Sequence, residues 1–393
     1  MVVEKGFKTS DVGIIPVEWD TQKLVDLTKL FTKQTGFDYS AYIKPALVQT
    51  KSDETIPFIQ NKDFNNKWIN LKTDYFIPLS VAKQFPKILL DEKSLLISIS
   101  GSIGNIGVYE SEHLAFIGGA VAILKFKDSR IIDWVMFFLK SSEGQKKLFG
   151  NVKAGSHQNL ILDDIRKVTV PLPLLSEQAA ITTALSDMDE LIAQTEKLIE
   201  KKKAIKQGVM QELLRPKEGW VKIKLKDILE YEQPTKYIVK SDEYSDNNTI
   251  PVLTAGKSFI LGYTSEDFNL FEDLPTIIFD DFTTASQYVD FKFKVKSSAM
   301  KILKLRNKKM DLRFIFEMLQ NIKYQVADHK RHWIGEFQNI ELSFPNLDDM
   351  IQLGKVVSEV NQEIEMLEAK QTKLKYQKQG MMQALLTGKI RLV

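Results

Sequence analysis

Two periods of apolar and polar residues run through this chain, and the longest regular stretches are helical. Over residues 176–214 a stripe at alternating spacings of four and three contains Met188, Ile192, Thr195, Ile199, Lys202, Lys206, Val209 and Leu213. Over 346–386 the same spacing gives Val360, Ile364, Leu367, Gln371, Leu374, Lys378, Met381 and Leu385. Most of these positions are apolar, which predicts a narrow helix–helix seam and not a broad core-facing surface. Ser176 with Glu177 and Gln178 marks a helix start, and no proline follows until Pro216. At ~1.5 Å per residue such a helix is about 58 Å long. A rod of that length needs a partner, and the expected one is the other rod.

The rest of the chain mixes periods. Ser94–Ile99, Ala120–Phe126 and Thr276–Phe279 read as strands. Asp133–Leu139 and Leu312–Leu319 read as short helices that follow equivalent strands. The expected class is therefore α+β: two similar globules separated by two long helices paired as an antiparallel coiled coil, with a pseudo-twofold internal repeat. The boundaries expected are 1–172 for the N-terminal segment and first globule, 173–215 for the first long helix, 216–345 for the second globule, and 346–393 for the second helix and tail.

The repeat is visible directly. Lys206-Gln-Gly-Val-Met-Gln-Glu-Leu-Leu214 matches Lys378-Gln-Gly-Met-Met-Gln-Ala-Leu-Leu386 at an offset of 172, which also aligns Pro173 with Pro345 and Ser186 with Ser358. Nearer the start, Trp19, Lys23, Leu24 and Asp26 match Trp220, Lys224, Leu225 and Asp227 at 201. Ile56-Pro57 pairs with Ile250-Pro251 at 194, and Ala120 with Ala299 at 179. A steadily falling offset describes one fold used twice, the first copy holding 29 extra residues (201 minus 172) in its loops.

Composition narrows the class. Fifty-four basic against 51 acidic residues leave a net charge of only +3, so positive charge for a polyanion must be local or come from partners. There is no cysteine, which removes disulfides and thiolate metal sites and suits a cytoplasmic protein. No apolar run is long enough to cross a bilayer, and the opening residues lack the apolar core of a signal peptide.

Three places carry residues suited to DNA. Phe291-Lys-Phe-Lys-Val-Lys296 alternates, so as a strand it would show Lys292, Lys294 and Lys296 on one face for phosphates; a solvated edge guarded by lysines is the alternative. The glycine-rich segment with Ser100, Ser102 and Asn105 allows close backbone approach and short polar contacts, or is simply a turn. Its glycines lack the spacing of a dinucleotide loop. Lys153, Ser156, His157, Gln158 and Asn159 have their counterpart near Lys330, Arg331 and His332, where arginine suits guanine and carboxamides suit adenine. Trp333 beside them would stack or pack. Lys257, Thr283 and Thr284 complete the candidates. Lys201-Lys-Lys203 reads first as a solvated rod surface.

Catalytic signatures are missing. No Asn/Asp-Pro-Pro-Tyr/Phe segment is present, the Gly256-Lys257-Ser258 stretch has Pro251 where a phosphate loop needs glycine, and the His329/His332 pair has no third ligand. No catalytic residue and no metal site is assigned.

Pro16-x-Glu-Trp19, Pro171-Leu-Pro-x-x-x-Glu177-Gln178-x-x-Ile181, the two Lys-Gln-Gly-x-Met-Gln-x-Leu-Leu endings and Leu385-Leu-Thr-Gly-Lys-Ile-Arg391 occur in an order that resembles the specificity subunit of type I restriction–modification systems. The resemblance spans about residues 10–391. It implies that each globule is a target recognition domain for one half of a bipartite, asymmetric site in double-stranded DNA. It also implies that the helices set the spacing and dock two methyltransferase (modification) subunits. This chain would hold no cofactor; S-adenosylmethionine would belong to the methyltransferase, and ATP with Mg to restriction (translocase) subunits where these join. Two rival readings are an enzyme with its own site and a coiled-coil adaptor that binds no DNA. The second helix opens Pro345-Asn-Leu-Asp-Asp349, without the Glu-Gln pair of the first.

Overall fold

The computed structural model describes residues 5–150, 159–255, 258–322, 324 and 332–392. By internal contacts the chain separates into two compact units, Met1–Gln194 with Gln371–Val393, and Thr195–Lys370. No described helix is long and apolar enough to cross a membrane.

In the first unit the strands that matter are β1 (Asp20–Lys23), β2 (Thr28–Lys33), β3 (Thr55–Ile59), β4 (Ser94–Ser98), β5 (Ile106–Tyr109), β6 (Ala115–Ile117), β7 (Val121–Phe126) and β8 (Thr169–Leu172). One sheet runs β2–β7–β4–β5 and continues into a hairpin of Phe64–Asn65 and Trp68–Ile69. A second sheet is centred on β3 and β6, which pair in parallel. β4 and β7 are buried on both faces, hence their unbroken apolar runs. Leu95, Ile97, Ala122 and Leu124 face helix α1 (Ile132–Lys140), while Leu96, Val121 and Ile123 face the second sheet. α1 is apolar nearly all round because it lies inside this core: Ile132 and every residue from Trp134 to Leu139 are buried.

The second unit repeats the plan in β9 (Val221–Lys224), β10 (Leu229–Glu232), β11 (Ile250–Leu253), β12 (Thr276–Asp280), β13 (Ser286–Val289), β14 (Lys294–Val295), β15 (Met300–Leu305) and β16 (Glu341–Phe344). The repeat extends to individual registers. Thr169 pairs with Lys23 in the first copy and Glu341 with Lys224 in the second. Leu96 lies opposite Ile123, and Ile278 opposite Ile302. Lys125 meets Asp91 at 2.5 Å, and its counterpart Lys304 meets Asp273 at 3.5 Å. Among the described residues the copies differ at their sheet edges: the sheet of β10, β15, β12 and β13 ends at β13, where the matching sheet of the first copy continues from β5 into the hairpin.

The long helices are α2 (Leu175–Leu213) and, after the short α3 (Leu312–Gln320), α4 (Leu347–Leu385). Both ends fall within a residue of expectation. Within the first unit Glu177 meets Arg391 and, later on α2, Asp189 meets Lys378 at 2.5 Å. Within the second, Lys202 meets Glu363 at 2.7 Å, and further along α2 Met210 and Leu214 share a core with Met350 and Val357. In each unit progress along α2 is retreat along α4, so the pairing is antiparallel. Asn346 supplies the start that the missing Glu-Gln pair left open: its Oδ1 accepts the Asp349 N–H at 2.8 Å and its amide donates to the Asp349 carboxylate.

The seam is as expected on α4, where Ile364, Leu374 and Leu385 are buried and Val360, Leu367, Gln371, Lys378 and Met381 half-buried. On α2 Met188, Ile192, Thr195 and Ile199 also turn inward, but the final turns depart from the pattern. Val209 is exposed, and Met210 and Leu214 are buried instead of Val209 and Leu213. The reason is a change of neighbour: the last turns of α2 pack into the core of the second globule.

Candidate nucleic-acid interface

Strand register gathers three loops at one end of the first globule. The end of β4 pairs with the start of β7 (Ser98 opposite Val121), and the end of β2 pairs beside it (Lys33 opposite Ala122). Hence the segments starting at Lys33, Ser100 and Gly118 open together, and Asn159 joins them through a bridge to Ser100. They line two adjoining clefts of about 690 and 520 Å³ that share Lys33 and Gly119.

The glycine-rich segment is a tight turn with a purpose. Gly101 and Gly104 have φ of +74° and +81°, a backbone state that side chains resist. Ser98 Oγ accepts the Asn105 N–H at 2.8 Å and donates to the Ser102 carbonyl, so the turn is held from within. Ser100 is half-buried, while Ser102, Asn105 and Asn159 are exposed. Beside them Gln34 and Asn61 spend their amide N–H on the carbonyls of Ile117 and Ser100, leaving each carboxamide oxygen buried with no partner. Arg166 reaches the Phe31 carbonyl at 2.8 Å and Asp163 at 2.7 Å. Lys33, Gln34, Asn61 and Arg166 were not legible as a group, because only strand pairing brings them together.

In the second globule the corresponding end carries the β12–β13 turn. Asp280 caps it, accepting the Phe282 N–H at 2.9 Å and the Thr283 hydroxyl. Thr283 is exposed and Thr284 half-buried with φ +60°. The lysine row is not formed as expected. β14 is two residues long, and its parallel pairing with β11 places Lys294 inside, opposite Val252. Lys294 is fully buried, with its ammonium 2.8 Å from Glu266 and 2.9 Å from the Phe268 carbonyl. Only Lys292 and Lys296 reach the surface, paired with Glu272 and Asp242. Burial pushes the Glu266 carboxyl up, but Lys294 and the Ser241 and Lys240 N–H groups outweigh it and hold the carboxyl below its usual range.

His332 is also corrected. It is buried, its N–H bonded to the Asp281 carbonyl, and Trp333 beside it is buried and packs against Phe279. Lys153, Ser156, His157, Gln158, Lys257, Lys330 and Arg331 lie outside the described residues. On α2, Lys202 and Lys203 pair with Glu363 and Glu368 of α4, so they serve the helix pair.

The segments that suggested a family meet in the first unit. Trp19 Nε1 donates to Glu177 at 3.1 Å, and Arg391 grips the same carboxylate while also reaching Glu18. Glu177 is almost wholly buried. These segments join a duplicated α+β fold to an antiparallel pair of long helices. The family model described as "Type I restriction modification DNA specificity domain" matches residues 16–206 and 217–376, and this chain belongs to that family. It is 45% identical over 141 residues to the Escherichia coli type I restriction enzyme EcoR124I/EcoR124II specificity subunit, a stretch covering 35% of each chain. It is 21% identical to the putative MjaX specificity subunit of Methanocaldococcus jannaschii over 99% of this chain and 97% of that one. The fold matches the S subunit of a type I system from M. genitalium with a TM-score of 0.65, 15% identity and 98% of each chain covered.

Proposed function

We propose that this subunit reads a bipartite, asymmetric site in double-stranded DNA, one half per globule, as the non-catalytic member of a methyltransferase complex. The observation that carries the reading is that the strand pairs framing the first globule's loop end recur in the second, with different side chains in the loops. Equal frames with unequal loops suit two unlike half-sites. The antiparallel helices would hold the half-sites at a set gap and offer repeated surfaces to two modification subunits. Those subunits would bring S-adenosylmethionine, and restriction subunits, where present, ATP and Mg.

Mapping methylated adenines in DNA modified by the reconstituted complex tests this. Two different half-sites at a constant gap are expected; one contiguous or palindromic site overturns the reading. The purified chain alone, given S-adenosylmethionine and DNA, is expected to transfer no methyl group.

A further inference from the structure

The two globules treat one sheet edge differently, and the difference points to a binding surface. In the first globule the edge strand β5 is covered by the chain's own hairpin. Trp68 pairs in parallel with Val108, and the Val108 N–H donates to the Lys67 carbonyl at 2.7 Å. The Lys67 side chain then drops between α1 and α2, 3.2 Å from Asp133 and 3.1 Å from the Ser186 hydroxyl.

The repeat maps each of these groups onto the second globule. Val108 becomes Tyr288, Asp133 becomes Arg313, and Ser186 becomes Ser358. The hairpin has no counterpart among the described residues, and β13 is the last strand of its sheet. Where Lys67 sits in the first copy, the second has a cleft of about 490 Å³ lined by Tyr288, Arg313, Lys355 and Ser358. The charge is reversed as well. Arg313 lies 4.5 Å from the Tyr288 ring, its nearest carboxylates, Glu365 and Glu317, stand at 3.8 and 4.0 Å, and its Nε is buried with no hydrogen-bond partner. The carboxylates that line the cleft face other groups: Asp311 caps α3 through the Phe314 N–H, Asp273 lies 3.5 and 3.7 Å from Lys304 and Lys308, and Glu230 3.8 Å from Arg306.

We infer that the β13 edge and this cleft bind an extended segment of a partner polypeptide, running parallel to β13 and placing a carboxylate side chain against Arg313 and Ser358. The backbone path is the one the Lys67-Trp68 segment takes in the first globule, and an exposed strand edge is a template for such addition. The reversal from Asp133 to Arg313 sets the sign of the incoming side chain. A well-placed ion pair in a partly desolvated cleft gives at least about tenfold discrimination against the opposite charge.

The test uses the full chain and two labelled peptides copied from residues 63–71, one unchanged and one carrying Lys67→Glu. The Lys67→Glu peptide is expected to bind about tenfold or more tightly than the unchanged one, and to slow hydrogen exchange at the Tyr288 amide. Arg313→Gln should level the two peptides, and Arg313→Glu should reverse their order. Equal binding to the unaltered chain, no binding of either peptide, or a preference that survives Arg313→Gln overturns the proposal. So does a DNA duplex that protects the Tyr288 amide while the peptides do not, since the cleft would then serve phosphates.

Discussion

Asp281 and Lys301 form an ion pair of 3.4 Å inside the second globule, at positions where the first globule has Ile99 and Ala122. Both charged side chains are at most 1% exposed, and one atom of each, Asp281 Oδ2 and Lys301 Nζ, lacks a hydrogen bond. The other Asp281 oxygen accepts the Trp333 N–H at 2.9 Å, so the pair ties the β12–β13 turn to the His332–Trp333 segment.

Breaking this pair from one side strands a buried charge. Lys301→Met alone is expected to destabilise the second globule by about 3–5 kcal/mol, whereas Lys301→Met with Asp281→Asn should recover most of that loss. Urea titrations of the two single variants and the double variant measure the coupling. Additive losses would show that the two charges do not interact.

The buried carboxylate of Glu177 makes the second prediction. Glu177→Ala leaves the Trp19 indole N–H without its acceptor and the Arg391 guanidinium without its bidentate partner. A loss of about 2–4 kcal/mol is expected for the first unit. Arg391→Ala should cost a comparable amount, and the double variant little more than either, read from thermal melts.

Lys140 supplies a pH dependence. Burial, reinforced by the nearby Lys378 and partly offset by Asp189, lowers its ammonium to about 8. A lysine depressed in the folded state opposes folding fully below that value, and the penalty fades as pH rises toward its unfolded value near 10.4. Lys140→Met is therefore expected to raise the melting temperature at pH 7, with the gain shrinking between pH 8 and about 10.5. A gain constant across that range would sink the assignment.

Asn346→Ala removes the cap of α4 and should cost about 1 kcal/mol, while Asn346→Asp keeps the acceptor but sets a second carboxylate against Asp349 and should recover only part of that loss. Denaturant midpoints of both variants check this.

If the helix pair is a ruler, adding one turn to both α2 and α4 should lengthen the preferred gap between methylated half-sites. Methylation mapping with the lengthened chain decides it; an unchanged gap removes spacing from the proposed role.

Much of the architecture could be read from residue order alone. The duplication, the ends of both long helices and the strand–helix succession in each globule are local or periodic properties, written in spacings that a linear chain displays. The last turns of α2 show where that reading stops. A heptad stripe assumes one constant neighbour, and once a globule core joins the partner helix, Met210 and Leu214 turn inward and Val209 outward.

The site depended on folding to a greater degree. Lys294 alternates with phenylalanines as a surface lysine would, but its counterpart in the repeat is the buried Phe116, and a parallel strand pair with a carboxylate from 28 residues earlier takes it inside. Lys33, Ser100 and Gly119 approach one another because β2, β4 and β7 end side by side, and Asn61 and Asn159 join them through their contacts with Ser100. Periodicity reports which face of an element is apolar. Which distant element covers that face, and which loops therefore open together, is settled by strand pairing and packing across the chain.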